Sequence, residues 1–286
     1  MPTIQHILFP FDFSQAGIRA APYLRALATQ LHAKVTLFSV VPPTWTEPPA
    51  LIAPRVGIDP EEFRRELQSK LDQTLTQELA GLTADRVTAL GDPAIKITEF
   101  AHANAVGLIM MPTHGLGLFR SLLIGSVTSK ILHDAHCPVW TAAHAEKQHA
   151  QELPRHILCA MDGTPQSLAL VQWAAEFSRQ VDARLQLLHV VRPVSDWLSL
   201  DVERTLQEEA RQESRSRIEA MLKSAGVEAP LRVAVGEIVA AVTEEARQEG
   251  ADLLILGRGA IHETLGRLRT HARGIIQHSP CPVISV

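Results

Sequence analysis

The sequence is poor in several features, and each shortage argues against a class of protein. Three cysteines, Cys137, Cys159 and Cys281, stand among 286 residues without C-x-x-C spacing, so neither a disulfide framework nor a zinc knuckle is expected. We expect all three to be reduced and buried. The longest apolar runs, such as VGLIMM at 106–111, fall far short of the roughly 18 residues that span a bilayer. The first residues lack the cationic and apolar regions of a signal peptide, and we expect a cytoplasmic protein.

Excess charge and familiar nucleotide motifs are also missing. The formal net charge is −4, which does not indicate the basic face that nucleic acids require. The Walker A pattern is absent, and Gly115-x-Gly117 lacks the third glycine of the Rossmann fingerprint, because Arg120 stands in its place. The segment HDAHC at 133–137 has ligand-like spacing on a short run from a helix into a strand. Its side chains need not converge there, so we expect no metal site.

What the sequence does contain is an internal duplication. The matching segments are HILFPFD at 6–12 with HILCAMD at 156–162, LFSVV at 37–41 with LLHVV at 187–191, LIMMPTHG at 108–115 with LLILGRGA at 253–260, and CPVW at 137–140 with CPVI at 281–284. A period of domain size indicates two similar domains rather than a solenoid. We place them at 1–145 and 154–286, with a polar linker at 142–155 whose boundary lies near residue 150.

Short apolar runs alternate with helical patterns in each half. In the first half we predict strands near 6–11, 34–41, 84–90, 106–112 and 138–142, and helices near 14–31, 59–80, 92–104 and 125–134. Ser14 and Asp59 are typical N-caps, and Thr164-Pro165 is predicted to start the corresponding helix of the second half. Unbroken apolar strands alternating with helices predict an α/β fold. Each half is therefore predicted to be a doubly wound domain with a five-stranded parallel sheet.

Two further segments have simple interpretations. The stretch 42–55 contains five prolines, which exclude regular structure, and it forms either a surface loop or a lid or partner contact. The stretch 203–223 has apolar residues at helical spacing among many charges. It is predicted to be a solvated amphipathic helix.

The predicted topology indicates where a ligand would bind. With the strand order 3-2-1-4-5, the order reverses between the first and fourth strands, and open parallel sheets bind ligands beyond the carboxyl ends at such a point. The first strand ends at Asp12 and the fourth runs into the glycine-containing loop 112–126. Both are therefore expected at one crevice.

The two sides of that crevice differ in chemistry. Gly125, Ser126 and Thr128 open a helix, whose free N–H groups and partial positive charge favour a phosphate. Asp12 would repel phosphate but can accept from a ribose hydroxyl or an adenine amino group, and Val40 can offer its backbone to a base. Simpler roles stay open: Asp12 or Ser126 only caps its helix, Arg120 is only a solvated loop residue, and His114 is structural.

At this point the sequence resembles a tandem universal stress protein along nearly the whole chain. Gly115, nine residues and then Gly125-Ser126 match the family's G-x-x-G-x9-G-[ST] loop, with Pro112 replacing the first glycine. DFS at 12–14 and GDPA at 91–94 also resemble the family. The resemblance implies the universal stress protein fold of the adenine-nucleotide α-hydrolase type, and ATP binding in the first domain with or without Mg²⁺.

The resemblance also implies a set of site residues. For ATP binding in the first domain these are Pro10, Phe11, Asp12, Val40, Met111, Gly115, Arg120, Gly125, Ser126, Val127 and Thr128. The second domain keeps Asp162, Val190 and Gly257 at equivalent positions, but Ala260 replaces the second glycine and Arg269-Thr270 replace the Gly-Ser pair. We expect that domain not to bind ATP in the family's manner. Its arginines at 258, 267, 269 and 273 are either exposed loop residues or attract another anion.

Three functions compete at this level. The first is a stress-response module that holds adenine nucleotide, with no catalytic residues and at most slow hydrolysis. The second is a stress protein that binds no nucleotide and acts through interactions. The third, nucleotidyl transfer, would need H-x-G-H or S-G-G-x-D-S loops, and neither occurs. The apolar last strands suggest sheet edges that invite pairing. The resemblance implies that these strands pair domain to domain in a pseudo-dimer, and we also expect a homodimer of chains, with no nucleic-acid or membrane partner.

Overall fold

The computed structural model describes residues 4–43, 59–112, 124–142, 153–193, 200–258 and 267–286. The chain divides into two compact units, whose main bodies are residues 1–142 and 154–286. We call them the N-terminal and C-terminal domains. Several predicted features lie outside the described residues: most of the proline-rich stretch and of the linker, and the loop residues His114, Gly115, Gly117 and Arg120.

The N-terminal domain alternates strand and helix as predicted. Its elements are β1 (His6–Pro10), α1 (Gln15–Leu31), β2 (Lys34–Val41), α2 (Pro60–Asp72), β3 (Ala84–Leu90), α3 (Pro93–Ala103), β4 (Leu108–Pro112), α4 (Ser126–Asp134) and β5 (Val139–Ala142).

The C-terminal domain repeats this order. Its elements are β6 (His156–Met161), α5 (Ser167–Gln180), β7 (Arg184–Val191), α6 (Leu200–Ser224), β8 (Leu231–Val235), α7 (Ile238–Gln248), β9 (Leu253–Leu256), α8 (Arg267–His278) and β10 (Val283–Ser285).

The sheets are parallel and doubly wound, which confirms the predicted fold class. In the N-terminal domain the strand order is β3-β2-β1-β4-β5, so the order reverses between β1 and β4. The C-terminal sheet has the matching order β8-β7-β6-β9-β10. Helices cover both faces of such sheets, so the central strands are apolar throughout: Ile7, Leu8 and Phe9 of β1 are fully buried.

The N-caps follow the sequence in the N-terminal domain. The Ser14 hydroxyl accepts from the Gly17 N–H at 3.3 Å and caps α1. The carboxylate of Asp59 accepts from the Glu61 N–H at 3.0 Å and caps α2, which has Pro60 in its first turn. Both predicted caps are confirmed, because short polar side chains satisfy N–H groups that the helix leaves free.

Two predicted helix limits are wrong. Helix α2 ends at Asp72 rather than near residue 80, and turns follow it. Leu75 has a left-handed φ of 54°, which no helix accommodates. Helix α5 starts at Ser167 rather than at Thr164-Pro165. The Thr164 hydroxyl donates to Asp162 at 2.7 Å instead of accepting from a helix N–H.

The remaining sequence expectations concern the cysteines and the charged helix. All three cysteines are free, but only Cys159 is buried, whereas Cys137 and Cys281 are half-buried, so the expectation of full burial is wrong for two of them. Burial raises the pKa of Cys159 to about 12, which leaves no thiolate near neutrality. The amphipathic prediction for 203–223 is confirmed: α6 buries Ile218 and Leu222 and exposes most of its other side chains. None of the described helices is long and apolar enough to cross a bilayer.

Candidate functional site

Three strand ends meet at the switch point of the N-terminal sheet. Pro10 pairs with Phe38, and the Phe11 N–H donates to the Phe38 carbonyl at 2.9 Å, which continues the pairing past β1. Extending this register by two residues sets Asp12 beside Val40 at the carboxyl ends of β1 and β2. On the other side Leu8 pairs with Ile109, and extending that register by two residues sets Met111 beside Pro10. The strands thus bring these predicted residues to one edge.

Asp12 is held in a tight turn at that edge. Its Oδ1 accepts from the Ser14 N–H at 3.0 Å, and the residue is half-buried. Ser14, not Asp12, caps helix α1. The simpler capping role for Asp12 is therefore wrong, and the turn leaves the rest of its carboxylate free of hydrogen bonds to the described residues.

Phe13 gives this turn its shape. Its backbone is left-handed, with φ of 61°, a conformation that is unfavourable for a side chain of this size. The ring packs edge-on against Phe11, with centroids 5.1 Å apart, and the Lys70 ammonium lies 4.3 Å from the Phe13 centroid. The two contacts offset the backbone cost and fix the chain on both sides of Asp12.

Helix α4 begins on the opposite side of the switch point without a side-chain cap. Its N-cap is Gly125, and no side chain accepts from its first-turn N–H groups among the described residues. The three other helices that the structure describes in this domain are capped by Ser14, Asp59 and Asp92. The proposal that Ser126 only caps its own helix is therefore wrong. Gly125 has φ of −55°, which any residue can adopt, so backbone conformation does not explain the glycine.

The first turn of α4 presents hydroxyl groups of two kinds. Ser126 is exposed, whereas Thr128 is only 3% exposed. Free N–H groups, a glycine without Cβ and an exposed hydroxyl together make a surface that can bind a phosphate through the backbone.

Sequence reasoning missed a cation beside this turn. Lys130 lies four residues after Ser126 and therefore on the same face of α4. Its Nζ is 3.4 Å from Oδ1 of Asp92, and both side chains are about half exposed. Asp92 caps α3 by accepting from the Ile95 N–H at 3.0 Å, and this hydrogen bond, aided by Lys130, holds the pKa of Asp92 below its usual value. The spacing from Ser126 on one helical face was the signal available in the sequence.

The equivalent turn of the C-terminal domain is closed on itself. Oδ1 of Asp162 accepts from the Thr164 N–H at 2.9 Å, the Thr164 hydroxyl at 2.7 Å and the Ser167 hydroxyl at 2.9 Å. Loss of water around the carboxylate would raise the pKa of Asp162, but these hydrogen bonds outweigh it and the pKa is lowered. The residue as a whole is exposed, yet Oδ1 is surrounded by its own donors.

His189 fills the space beside that turn. Its Nδ1 lies 3.2 Å from the Met161 carbonyl, and burial lowers the pKa of the imidazole, which favours the neutral ring. Gly163 has φ of 74°, and a Cβ there would come within 3.0 Å of the His189 ring. Val190 follows in β7 and is half-buried, while Gly257 directly follows β9. The position of His189 corresponds to Ser39 in the N-terminal domain.

Gly115 and Arg120 lie outside the described residues, so the structure gives no geometry for their predicted phosphate contacts. Within the part of the chain that is described, no group of three or more His, Cys, Asp or Glu side chains could hold a metal ion.

Comparison with known proteins defines the family. The model of the universal stress protein family matches the chain twice, over residues 3–142 and 154–286. The chain belongs to the universal stress protein family. The two matches together span nearly its whole length.

Individual universal stress proteins are similar to parts or all of the chain. One from Methanocaldococcus jannaschii is 30% identical over 152 residues, which are 50% of this chain and 84% of the relative. The crystal structure of a universal stress protein from Archaeoglobus fulgidus covers 98% of this chain and 95% of its own, with 21% identity and a TM-score of 0.65, and supports the fold alone. A universal stress protein solved in complex with cAMP is 22% identical and covers 47% of this chain and 98% of its own, with a TM-score of 0.34.

Proposed function

We propose that this universal stress protein binds ATP in its N-terminal domain and acts as a nucleotide-holding module of the stress response. One observation carries the proposal: the strand order reverses between β1, which leads into Asp12, and β4, which is followed by the uncapped N-terminus of α4. A nucleotide has an anionic phosphate end and a nucleoside end with hydroxyl groups. The α4 side suits the phosphates, and the Asp12 side suits the nucleoside.

The phosphate side rests on α4. The N–H groups of its first turn and the helix dipole favour an anion, and Gly125 lets a phosphate approach the backbone. The hydroxyls of Ser126 and Thr128 can donate to phosphate oxygens, and Lys130 adds a nearby positive charge. The spacing from Gly115 to Gly125 fits a loop that wraps the phosphates, with Arg120 within that loop.

The nucleoside side rests on the ends of β1, β2 and β4. Asp12 can accept from a ribose hydroxyl or the adenine amino group, and the Val40 backbone can meet the base. Pro10, Phe11 and Met111 form an apolar floor at the strand ends. We propose that these residues bind the nucleotide without a Mg²⁺ ion held by protein side chains.

The same reasoning excludes the C-terminal domain from this role. The Oδ1 acceptor of Asp162 is already engaged by three donors, and the position of Ser39 is taken by the larger His189, whose ring lies beside that turn. Asp162, Val190 and Gly257 are therefore proposed as structural remnants of a nucleotide site. In this proposal the domain at 1–145 binds the nucleotide and the domain at 154–286 does not.

The carboxylate near the first turn of α4, that of Asp92, caps α3 and pairs with Lys130, so we propose no catalytic role for it and at most slow hydrolysis. Holding a nucleotide can regulate through conformation or assembly, and we propose a cytoplasmic homo-oligomer as the responding unit. An interaction protein that binds no nucleotide is the outcome to be tested against this.

Isothermal titration of the full-length protein with ATP, with and without MgCl₂, tests the proposal. We expect one site per chain, lost in Asp12→Ala and in Gly125→Leu, whose side chain covers the backbone without adding charge. Asp162→Ala is the matched control and should bind as the wild type does. Titration with cAMP separates recognition of the adenosine from recognition of the triphosphate.

The absence of heat and of any competition by millimolar ATP would refute nucleotide binding and favour the interaction protein. If Asp162→Ala abolishes binding and Asp12→Ala does not, the site lies in the other domain.

A further inference from the structure

The outer strand of the C-terminal sheet, β8, pairs with β7 on one side and with no described strand on the other. The Leu187 N–H donates to the Pro230 carbonyl at 2.8 Å, and the Gly236 N–H donates to the Val191 carbonyl at 3.1 Å. In a parallel pair, every second residue turns its N–H and C=O toward the neighbouring strand. Residues 230, 232 and 234 therefore face β7, and Leu231, Val233 and Val235 turn their backbone groups outward.

Only the first of these outward positions is covered. The Arg215 guanidinium of α6 donates to the Leu231 carbonyl at 3.2 Å. The outward N–H and C=O groups of Val233 and Val235 have no partner among the described residues. Val235 also exposes 40% of its surface, which is unusual for an apolar strand residue here. An uncovered edge of this kind is a template for another strand.

The corresponding edge of the N-terminal domain carries different side chains. The Gly91 N–H donates to the Val41 carbonyl, which matches the bond from the Gly236 N–H to the Val191 carbonyl. Counting back from these two glycines, Arg86 and Thr88 of β3 are equivalent to Leu231 and Val233 of β8. The Gln68 amide donates to the Arg86 carbonyl at 3.0 Å.

At the next position along β3 the side chain is hydrogen-bonded, and the outward backbone groups of Thr88 have no partner among the described residues. The Thr88 hydroxyl donates to Gln68 at 2.9 Å and accepts from Arg64 at 3.3 Å. Valine at the equivalent position of β8 cannot make such a network, so the two edges differ in the polar side chains that lie beside them.

A cleft of about 610 Å³ runs along this edge. Helix α6 lines it with Arg211 and Arg215, and α7 lines it with Glu244 and Glu245. Arg232, also in the cleft, is bound to Glu245 and lies 3.7 Å from Glu249, so its charge is matched.

Arg211 of α6 is held less firmly, whereas Arg215 also donates to the Leu231 carbonyl. Arg211 lies 3.4 Å from Glu208, and Arg215 lies 3.4 Å from Glu219, in each case an exposed acid of the same helix. Exposed pairs of this kind contribute little, so a carboxylate brought by a ligand can replace them. The α6 wall of the cleft thus suits an acidic side chain.

We propose that the β8 edge binds an extended acidic segment of a partner protein by strand addition. The backbone of that segment pairs with Val233 and Val235, and the side chains on one of its faces bring carboxylates to Arg211 and Arg215. Successive side chains of the bound segment point to opposite faces, so those on the other face lie on the side of Glu244 and need to be uncharged or basic. This surface lies in the domain that is not assigned a nucleotide, and it does not depend on ATP binding.

Fluorescence anisotropy with labelled octapeptides tests the surface. One peptide alternates Asp or Glu with Val or Thr, and its control carries Lys at the acidic positions. We expect the full-length protein to bind the acidic peptide and not the lysine peptide. Val233→Pro should weaken binding about tenfold or more, because proline removes an outward N–H but no bond to β7.

Val233→Ala is the matched control, since it shortens the same side chain and keeps the N–H group. It should bind almost as the wild type does, and Arg211→Glu should weaken binding of the acidic peptide. Equal binding of both peptides, or equal binding by Val233→Pro and Val233→Ala, would overturn the proposal. If Val233→Pro instead converts a dimer into a monomer in sedimentation and no peptide binds, the edge pairs two copies of the chain and the acidic partner is wrong.

Discussion

The Lys70 ammonium group lies 4.3 Å from the centroid of the Phe13 ring, directly behind the turn that presents Asp12. Phe13 holds a left-handed backbone at a position where the second domain has Gly163, also left-handed. The turn therefore requires positive φ in both domains, and in the first one a phenylalanine meets it with the help of its contacts. Helix α2 is thereby tied to the turn of the candidate site.

Removing this contact should destabilise the N-terminal domain. We expect Lys70→Ala to lower the free energy of unfolding by about 0.5–1 kcal/mol, the usual range for an exposed cation–π contact. Urea denaturation of full-length protein measures it. Lys96→Ala, which removes only an exposed pair with Glu99, is the control and should change stability by less than about 0.5 kcal/mol. Equal effects of the two changes would mean that Lys70 does not support the turn.

Replacing the equivalent aspartates Asp12 and Asp162 should lower the stability of their domains by different amounts. Asp162→Ala removes the acceptor of the Thr164 N–H and hydroxyl, while the Ser167 hydroxyl can still donate to the Thr164 carbonyl, and the change should cost the C-terminal domain about 1–3 kcal/mol. Asp12→Ala removes a single hydrogen bond from the Ser14 N–H and should cost the N-terminal domain less than about 1 kcal/mol. Native-state hydrogen exchange of the β1 and β6 amides reports each domain separately. A larger loss for Asp12→Ala would contradict the closed turn around Asp162.

Asp92 should make stability depend on pH in acid. Its folded-state pKa is lowered, first by the hydrogen bond from the Ile95 N–H, so its stabilising effect is complete above the unfolded value of about 4 and is lost as pH falls through the folded value. Asp92→Asn keeps a capping oxygen without titrating. The difference in unfolding free energy between wild type and Asp92→Asn should be constant at pH 5–7 and shrink below about pH 4. A constant difference down to pH 2.5 would show that the charge of Asp92 does not matter.

Gly17 is expected to resist replacement by a better helix former. A Cβ at this position of α1 would lie 2.8 Å from Cε2 of buried Phe11, so the ring must move. Overpacking costs about 1–3 kcal/mol and exceeds the gain of at most about 1 kcal/mol from replacing glycine by alanine. We expect Gly17→Ala to lower the melting temperature, and Phe11→Leu, which lacks Cε2, to remove most of that penalty in the double variant. An unchanged or higher melting temperature for Gly17→Ala alone would contradict the close contact.

The sequence predicted the fold well because its signals are local and repeated. Strands buried on both faces give unbroken apolar runs such as Ile7-Leu8-Phe9, and the duplication shows each run twice. The end of α2 at Asp72 escaped prediction since Leu75 turns left-handed with no glycine or proline to mark it. The start of α5 escaped because Asp162 takes the hydroxyl of Thr164, a contact that a capping pattern does not reveal.

The candidate site was predictable only in part. Topology alone brings the ends of β1, β2 and β4 together, and the strand order confirms that reasoning. The ion pair of Lys130 with Asp92 joins residues 38 positions apart, so only the folded chain places them together. His189 likewise appears as one more buried strand residue until Gly163 is seen beside it.

Backbone amide chemical shifts during an ATP titration test the central claim most directly. If the free N-terminus of α4 holds the phosphates, the N–H signals of Ser126, Val127 and Thr128 should move and saturate together with binding. Those of Thr164 and Ser167 in the closed turn of the C-terminal domain should stay in place. ATP that saturates the protein without moving the three α4 amides, or that moves none of them at millimolar concentration, would contradict the account.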